Sequence, residues 1–480
     1  MMQSEVQIQP SWPIHTYFNT NLDHYASHHH EFPSSINSTP ENSFISSESY
    51  GYVEYPLLGY DQMQQSSSDT NDSQNMMVLE NMNRWLCDED QDIEEIQLSD
   101  ISGCVPSEEM SPMEEVSDTM ELESQTGLQS LLKAYAEAME MGQTELAQVI
   151  VSCISEKIYP IGPAIERIAF NLFQSAENQE EYLKRESVRN FKSAFRAFYE
   201  IFPYGRFAHF TANSAICEAV PTHVKSVDII DFDLLEGSQW PVVIEAIAQQ
   251  RKSLTITSVK LEDHNSQFEH IKRDLCSFAR TFGLNLKIQD VDMAQIVNKM
   301  EGKEFVVFNC MVGLPHMGRT RETSQVMDFL KIARAVLAKN KGIITVGDGA
   351  GGRLATSSNY TSFFNENLAH YKALYESMEC GFPSYLNEAR TAMETLFVAP
   401  FISSESWFQK WEEGRENTTS IKGLGLKGRT MSINSLNEAR ELVKEGESPY
   451  GIRIEGQNGN EMVLKWNATP LVKVSVWECN

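Results

Sequence analysis

What this chain lacks narrows its reading before any motif is considered. No run of about 18 apolar residues occurs, so nothing reads as a membrane-crossing helix. Its 8 cysteines include no C-x-x-C, which argues against the common zinc frameworks. The cysteines then read as buried thiols in a reducing compartment. The amino terminus, MMQSEVQIQP, has neither the basic n-region nor the apolar h-region of a secretory signal, and the expectation is a soluble intracellular protein. No Lys/Arg-rich stretch of the usual length stands out as a nuclear address. Positive charge is scarcest at the start: residues 1–125 hold 24 Asp and Glu, no Lys and only Arg84, a net −23 of the chain's −28. The remaining 355 residues therefore carry −5, with no basic stripe evident to neutralise phosphates, which disfavours autonomous binding to a DNA duplex.

What is present divides at about residue 125. Residues 1–125 are rich in Ser, Asn, Asp and Glu with isolated aromatics and a His28-His29-His30 tract. Such a composition cannot bury enough apolar surface to offset the entropy of ordering, so a disordered acidic region is expected. From Glu80 to Glu123, 15 acids face one base, with Trp85, Leu86, Ile93, Ile96, Leu98 and Ile101 among them. Acids interspersed with hydrophobes characterise activation segments, while a merely solubilising linker has the same composition.

The ordered part is expected over 126–480, with a helical cap at about 126–220 and an α/β core at about 221–480. Thr126 and Gln129 form a capping box ahead of Leu128, Leu131, Leu132 and Tyr135 at helical spacing, and Gly142 stops that helix. Two more short amphipathic helices and two longer ones precede any strand. Strand-like runs SVDIIDF, LTITSV, LNLKIQDV, FVVFNCM and GIITV then alternate with helical ones. That alternation predicts a Rossmann-like, mostly parallel sheet covered on both faces. YGIRIEG, EMVLKWN and LVKVSVW, separated by turn residues, predict an antiparallel edge at the carboxyl terminus.

The most informative stretch is VDIIDFDLLEGSQWP, Val227 to Pro241, where a buried strand ends in Asp231, Asp233 and Glu236 and runs into a helix. Dinucleotide folds place close-spaced glycines at this position so that backbone N–H groups can approach a pyrophosphate; here only Gly237 is available. The fold signal is thus strong and the cofactor signal weak: no cofactor and no metal is expected. GDGAGG, with Gly347, Gly349, Gly351 and Gly352, follows the fifth strand rather than the first and reads as a turn. Glu262 and Asp263 stand where nucleotide folds set an acid against a ribose, which keeps an S-adenosylmethionine-type ligand or a methyltransferase alive as the alternative reading. Asp231 has no evident nucleophile or ligand partner and reads as a carboxylate capping the next helix. His209 and His316 read as structural histidines, and no catalytic residue is identified.

Several ordered blocks together resemble the GRAS family of plant transcriptional regulators: LQSLLKAYAEAMEMGQTELAQVIV its first leucine-rich region, Val227, Asp228, Ile229, Ile230 and Asp231 its VHIID motif, FVVFNCMVGLPHM its Asn-Cys-Met segment, HYKALYESME its PFYRE region, and WNATPLVKVSVW, with Trp466, Ser475 and Trp477, its SAW region. Asp228 replaces the usual His, and GDGAGG replaces the usual glutamates. The resemblance is greatest to the nodulation-signalling branch. It implies a nuclear regulator, not an enzyme, with a methyltransferase-like core and a cap whose helix at Leu128, Leu131, Leu132 and Tyr135 carries an interaction surface. The partners it implies are other GRAS proteins and DNA-binding transcription factors, in a hetero-oligomer that meets DNA mainly indirectly.

Overall fold

The computed structural model describes residues 114–173, 194–260, 265–318, 321–349, 357, 359–382, 386–416 and 421–479. The expected acidic region up to residue 113 lies outside them, as do Glu262, Asp263, Gly351 and Gly352.

The first helix, α1, spans Glu114–Glu140 and so begins before the expected start at Thr126. Thr126 is therefore not an N-cap. No Pro or Gly stands between Met113 and Thr126 to stop the helix, and the single Gly127, worth about 1 kcal/mol against alanine, does not break it. Gly142, at φ 68°, ends it in a left-handed turn, with the Gln143 N–H donating to the Ala138 carbonyl at 2.8 Å. α2 (Thr144–Ser155), α3 (Ala164–Phe173), α4 (residues 194–201) and α5 (Pro203–Ala219) complete the helical lead-in. The buried stripe of α1, Leu128, Leu132, Tyr135 and Ala136, turns into the molecule, with the Tyr135 ring 4.9 Å from Phe173 of α3.

Five parallel strands follow: β1 (Ser226–Asp231), β2 (Ser253–Val259), β3 (Leu286–Val291), β4 (Val306–Val312) and β5 (Gly342–Asp348). The crossovers are α6 (Trp240–Gln249), α7 (Asn265–Thr281), the single turn α8 (Ile296–Lys299) and α9 (Thr323–Leu337). Helices α10 (Tyr360–Gly381), α11 (Asn387–Phe397), α12 (Ser404–Glu416) and α13 (Ile433–Leu442) then lead to the antiparallel strands β7 (Tyr450–Glu455), β8 (Glu461–Trp466) and β9 (Thr469–Glu478), after a short β6 (Lys427–Gly428) paired with β9. The strand order is β3-β2-β1-β4-β5-β9-β8-β7, a Rossmann-like parallel sheet extended by an antiparallel edge, as expected.

Register decides what each face does. Ile230, Phe308, Ile344 and Trp477 lie side by side across β1, β4, β5 and β9. This row packs with Phe329, Leu330 and Ala333 of α9 in one core cluster. One residue further along, the side chains of the same strands point to the opposite face. There Asp231, Asn309 and Thr345 lie in register.

Candidate functional site: a filled strand-end position

Three polar residues at one depth of three neighbouring apolar strands need partners, because a buried polar group left unpaired costs about 1–3 kcal/mol. They find them in one another and in three further side chains, from α5 and from the start of α6. Asn309 Nδ2 donates to Asp231 Oδ1 at 2.9 Å and to Gln239 Oε1 at 3.0 Å. Gln239 Nε2 donates to Asn309 Oδ1 at 3.1 Å and to Asn213 Oδ1 at 3.2 Å, while Asn213 Nδ2 donates to the Gln239 carbonyl at 2.8 Å. The Thr345 hydroxyl donates to Asn309 Oδ1 at 2.8 Å, and the Trp240 indole N–H to Asp231 Oδ2 at 2.9 Å. All six side chains are buried, Asn309, Trp240 and Thr345 completely. Burial pushes the Asp231 carboxyl up to about 7; the hydrogen bonds from Asn309 and Trp240 oppose that shift. Asp231 thus holds the start of α6 through the Trp240 side chain, not as the helix cap expected of it: Gln239 is the N-cap and makes no side-chain cap bond.

The turn after β1 is equally occupied. Three of its N–H groups, in the place where a nucleotide fold would face a phosphate, are spent internally: Leu235 on Asp233 Oδ1, Gly237 on the Leu234 carbonyl and Trp240 on the Gly237 carbonyl. Gly237 sits at φ 72°, and a Cβ there would come 2.8 Å from Ile271 Cγ2, so its lack of a side chain serves the turn and the close approach of α7. Asp233 accepts both Nε and Nη2 of Arg321, at 3.0 and 2.8 Å. Gly347 and Gly349 are likewise used for packing, since a side chain would meet the Met311 sulfur at the first and the Gly313 carbonyl at the second.

Between this turn and β4 lies a cavity lined by His209, Asp231, Asp233, Gln239, Met311 and His316, among others, with about 10 Å³ of water-sized space, enough for about one water molecule. The residues present do not fit an adenosyl or dinucleotide group, whose place is taken by their own side chains. Nor does any group of three or more His, Cys, Asp or Glu among the described residues have metal-holding geometry. The two histidines form an aromatic cluster: their rings are 5.0 Å apart and edge to face, and the Tyr199 hydroxyl meets His209 Nδ1 at 2.8 Å. Desolvation holds His209 down to about 3 and His316 well below its ordinary value, so both are neutral imidazoles.

The family model described as the GRAS domain family matches residues 128–478. This chain belongs to the GRAS domain family. The protein called NODULATION SIGNALING PATHWAY 2 of Medicago truncatula is 30% identical over 306 residues, which cover 60% of this chain and 58% of that protein. Its namesake in Lotus japonicus is 28% identical over 388 residues, covering 73% and 75%. The crystal structure of SCL7 in Oryza sativa superimposes with a TM-score of 0.54 at 19% identity, over 73% of this chain and 99% of that one, a likeness of fold.

Within the GRAS domain, the motif residues occupy distinct places. Val227, Ile229 and Ile230 are fully buried in the sheet, and Asp228, where the family has His, accepts Lys303 Nζ at 2.8 Å. Trp477 Nε1 donates to Ser475 Oγ at 2.9 Å within β9, and Ser475 Oγ donates to the Val346 carbonyl of β5 at 3.4 Å, while Trp466 packs edge to face on Tyr450 at 4.9 Å. Leu128, Leu132 and Tyr135 are buried inside the GRAS domain and Leu131 is half-buried, so they hold α1 in place and do not themselves form an open surface. Exposed hydrophobes gather on and around α2, where Met141 is 70% exposed, Val149 61%, Tyr159 64% and Ile161 71%, with Leu146 at 47%; elsewhere Ile433 of α13 is 65% exposed. Leu146, Val149, Ile150, Cys153 and Ile154 all lie on α2. The packing splits them, burying Ala147, Ile150 and Ile154 and leaving the others outside.

Proposed function

We infer that the chain is a nuclear plant transcriptional regulator that works through contacts with other GRAS proteins and with DNA-bound transcription factors. Its α/β core, on this reading, is a scaffold without a catalytic task. The acidic, hydrophobe-bearing residues 80–123 recruit transcription machinery, and DNA is reached through the partner. The observation that carries the reading is the pairing of a self-satisfied strand-end cluster, which leaves a cofactor no room, with an unpartnered apolar face on the cap. Exposed apolar patches of this kind are the usual mark of a protein interface.

The test uses a co-expressed second GRAS protein and the full chain. Leu146→Glu and Val149→Glu together should weaken co-purification at least about tenfold, because interface anchors are worth about 1.4 kcal/mol or more each. Their exposure predicts a thermal midpoint that stays with the parent's. Undiminished co-purification with both glutamates in place rules out this face as the contact.

A further inference from the structure

In a parallel sheet every strand enters from the same side, so the turns before β2, β1, β4 and β5 share one edge of the molecule, opposite the filled strand-end cluster. The backbone confirms their adjacency: Ser253 N–H donates to the Lys225 carbonyl and Val306 N–H to the Lys341 carbonyl, both at 2.9 Å. Residues 221–226, 249–253, 299–305 and 338–342, which form these turns, contain seven bases and only two acids, Glu301 and Glu304. In a chain of net charge −28 that is a local reversal of sign.

Each base can be followed individually. Lys252 is buried and spends its ammonium on the carbonyls of Pro221, Thr222 and Val224. Lys303 pairs with Asp228. Lys225, Arg251, Lys299, Lys339 and Lys341 are exposed, and none forms an ion pair with an acid among the described residues. Glu304 is turned to the backbone N–H groups of Lys225 and Ser226, at 2.6 and 2.9 Å. Cations at or just beyond helix carboxyl ends complement the helix dipole, which accounts for Lys299 in the last turn of α8 and for Arg251 and Lys339 after α6 and α9. Lys225 and Lys341 stand directly before strands; the Glu304 carboxylate lies close enough to Lys225 to feel its charge, while Lys341 adds repulsion that an anion would relieve. Beside the bases, Phe282, in the connection entering β3, is 40% exposed, and Val297 of α8 is 38% exposed.

We propose that this basic edge is the docking surface for the chain's own acidic segment, residues 80–113. The chemistry is complementary in both respects. Residues 80–113 hold ten acids and one base, and Trp85, Leu86, Ile93 and Ile96 offer apolar partners for Phe282 and Val297. A nucleic-acid backbone would answer the charge alone. Extended, residues 80–113 reach roughly 100 Å from Glu114, against a domain about 50 Å across, so the edge is within reach wherever the tether starts. Tethering supplies the segment at an effective concentration on the order of millimolar, which favours it over an untethered polyanion of similar charge. The docking stands independently of what the segment recruits; where it recruits a partner, the edge competes for the same acids and sets a threshold for activation.

The experiment compares hydrogen–deuterium exchange of the full chain with that of a full-length variant whose acids at 88, 89, 90, 92, 94 and 95 are changed to Asn and Gln. The variant leaves the folded domain untouched. At low salt the peptides covering 221–226 and 338–342 should exchange at least about threefold more slowly in the parent than in the variant, and the difference should vanish near 0.5 M salt, where exposed charges are screened within a few ångströms. Carbodiimide cross-links from the acids at 88–95 should fall on Lys225, Lys299, Lys339 or Lys341. Equal exchange in the two chains, or cross-links scattered over lysines of other faces, overturns the proposal. Protection of the edge that appears only on adding duplex DNA, regardless of the six acids, overturns it in favour of a nucleic-acid surface.

Discussion

At the scale of the residue, Asn309 is where the strand-end cluster closes, because it touches Asp231, Gln239 and Thr345 at once. Asn309→Ala leaves each of those with an unmet hydrogen bond in a site with room for about one water molecule, and the expected loss is about 2–4 kcal/mol of unfolding free energy by chemical denaturation. A loss below about 0.5 kcal/mol, the level of a surface substitution, would mean the cluster is not coupled. His316 makes a pH prediction. Its imidazole is neutral in the fold, its buried Nδ1 has no hydrogen-bond partner, and Gly205 leaves the space for it, since a Cβ there would lie 2.7 Å from that nitrogen. A folded-state value below the unfolded one means the unfolded chain binds the extra proton. Stability from this group is therefore present above about pH 6.5 and is lost as the pH falls. His316→Leu removes that liability, so the variant should gain on the parent by up to about 1.4 kcal/mol per pH unit between pH 6 and 4. Parallel pH profiles for the two would show the imidazole is charged or solvated.

At the scale of the element, legibility followed exposure. Strands β1 to β5 and their crossovers were readable because each strand is a short apolar run and each crossover shows a polar face of helical period. Asp231 stood out, but Asn309, Thr345, Gln239 and Asn213 did not: each is one polar residue in its own element, and only strand register brings them together. The one available signal was a polar residue at the same depth in SVDIIDF, FVVFNCM and GIITV. Helix α10 was hard to read because its buried face is wide: Tyr360, Phe364, Tyr371 and Leu374 form one stripe, and Phe363, His370, Ala373 and Ser377, further round the helix, are buried too, which narrows the polar stripe. The attachment of the cap was hidden for another reason, namely distance in sequence. Arg167 of α3 is 2% exposed and donates through Nε to Glu394 of α11 at 2.9 Å and through Nη2 to Glu379 of α10 at 2.5 Å. Burial raises the Glu394 carboxyl to about 7 even against the pull of Arg167 and Arg390. Arg167→Met should cost about 3–5 kcal/mol, the range for stranding a buried charge, as read from denaturant midpoints at neutral pH. A variant within about 1 kcal/mol of the parent would show the cluster to be solvated like an ordinary surface pair.

At the scale of the whole molecule, the sheet makes the carboxyl terminus part of the core. β9 pairs with β5 along Ile344↔Trp477 to Asp348↔Lys473 and is the only link between the parallel strands and β8 and β7 among the described residues. Trp477 is 3% exposed and sits in the same cluster as Phe308, Phe329 and Leu330. Removing it therefore exposes the α9 side of the central strands, not just a hairpin at the periphery. On the opposite face, Met462 receives the Thr211 hydroxyl of α5 at 3.6 Å, so the same hairpin also backs the helix that supplies Asn213 to the polar cluster. Trp477→Ala should cost about 3–5 kcal/mol, in keeping with other buried tryptophans. A chain ending at Pro449 loses the whole of β7 to β9, and a domain of ordinary stability, about 5–15 kcal/mol, has no reserve for that. The expected result is a product that keeps helical far-ultraviolet dichroism but shows no cooperative denaturant transition and no fixed aromatic signal in the near ultraviolet. A cooperative, reversible transition from the shortened chain would mean that the parallel sheet closes its core without β9, and that the edge is an appendage and not a wall.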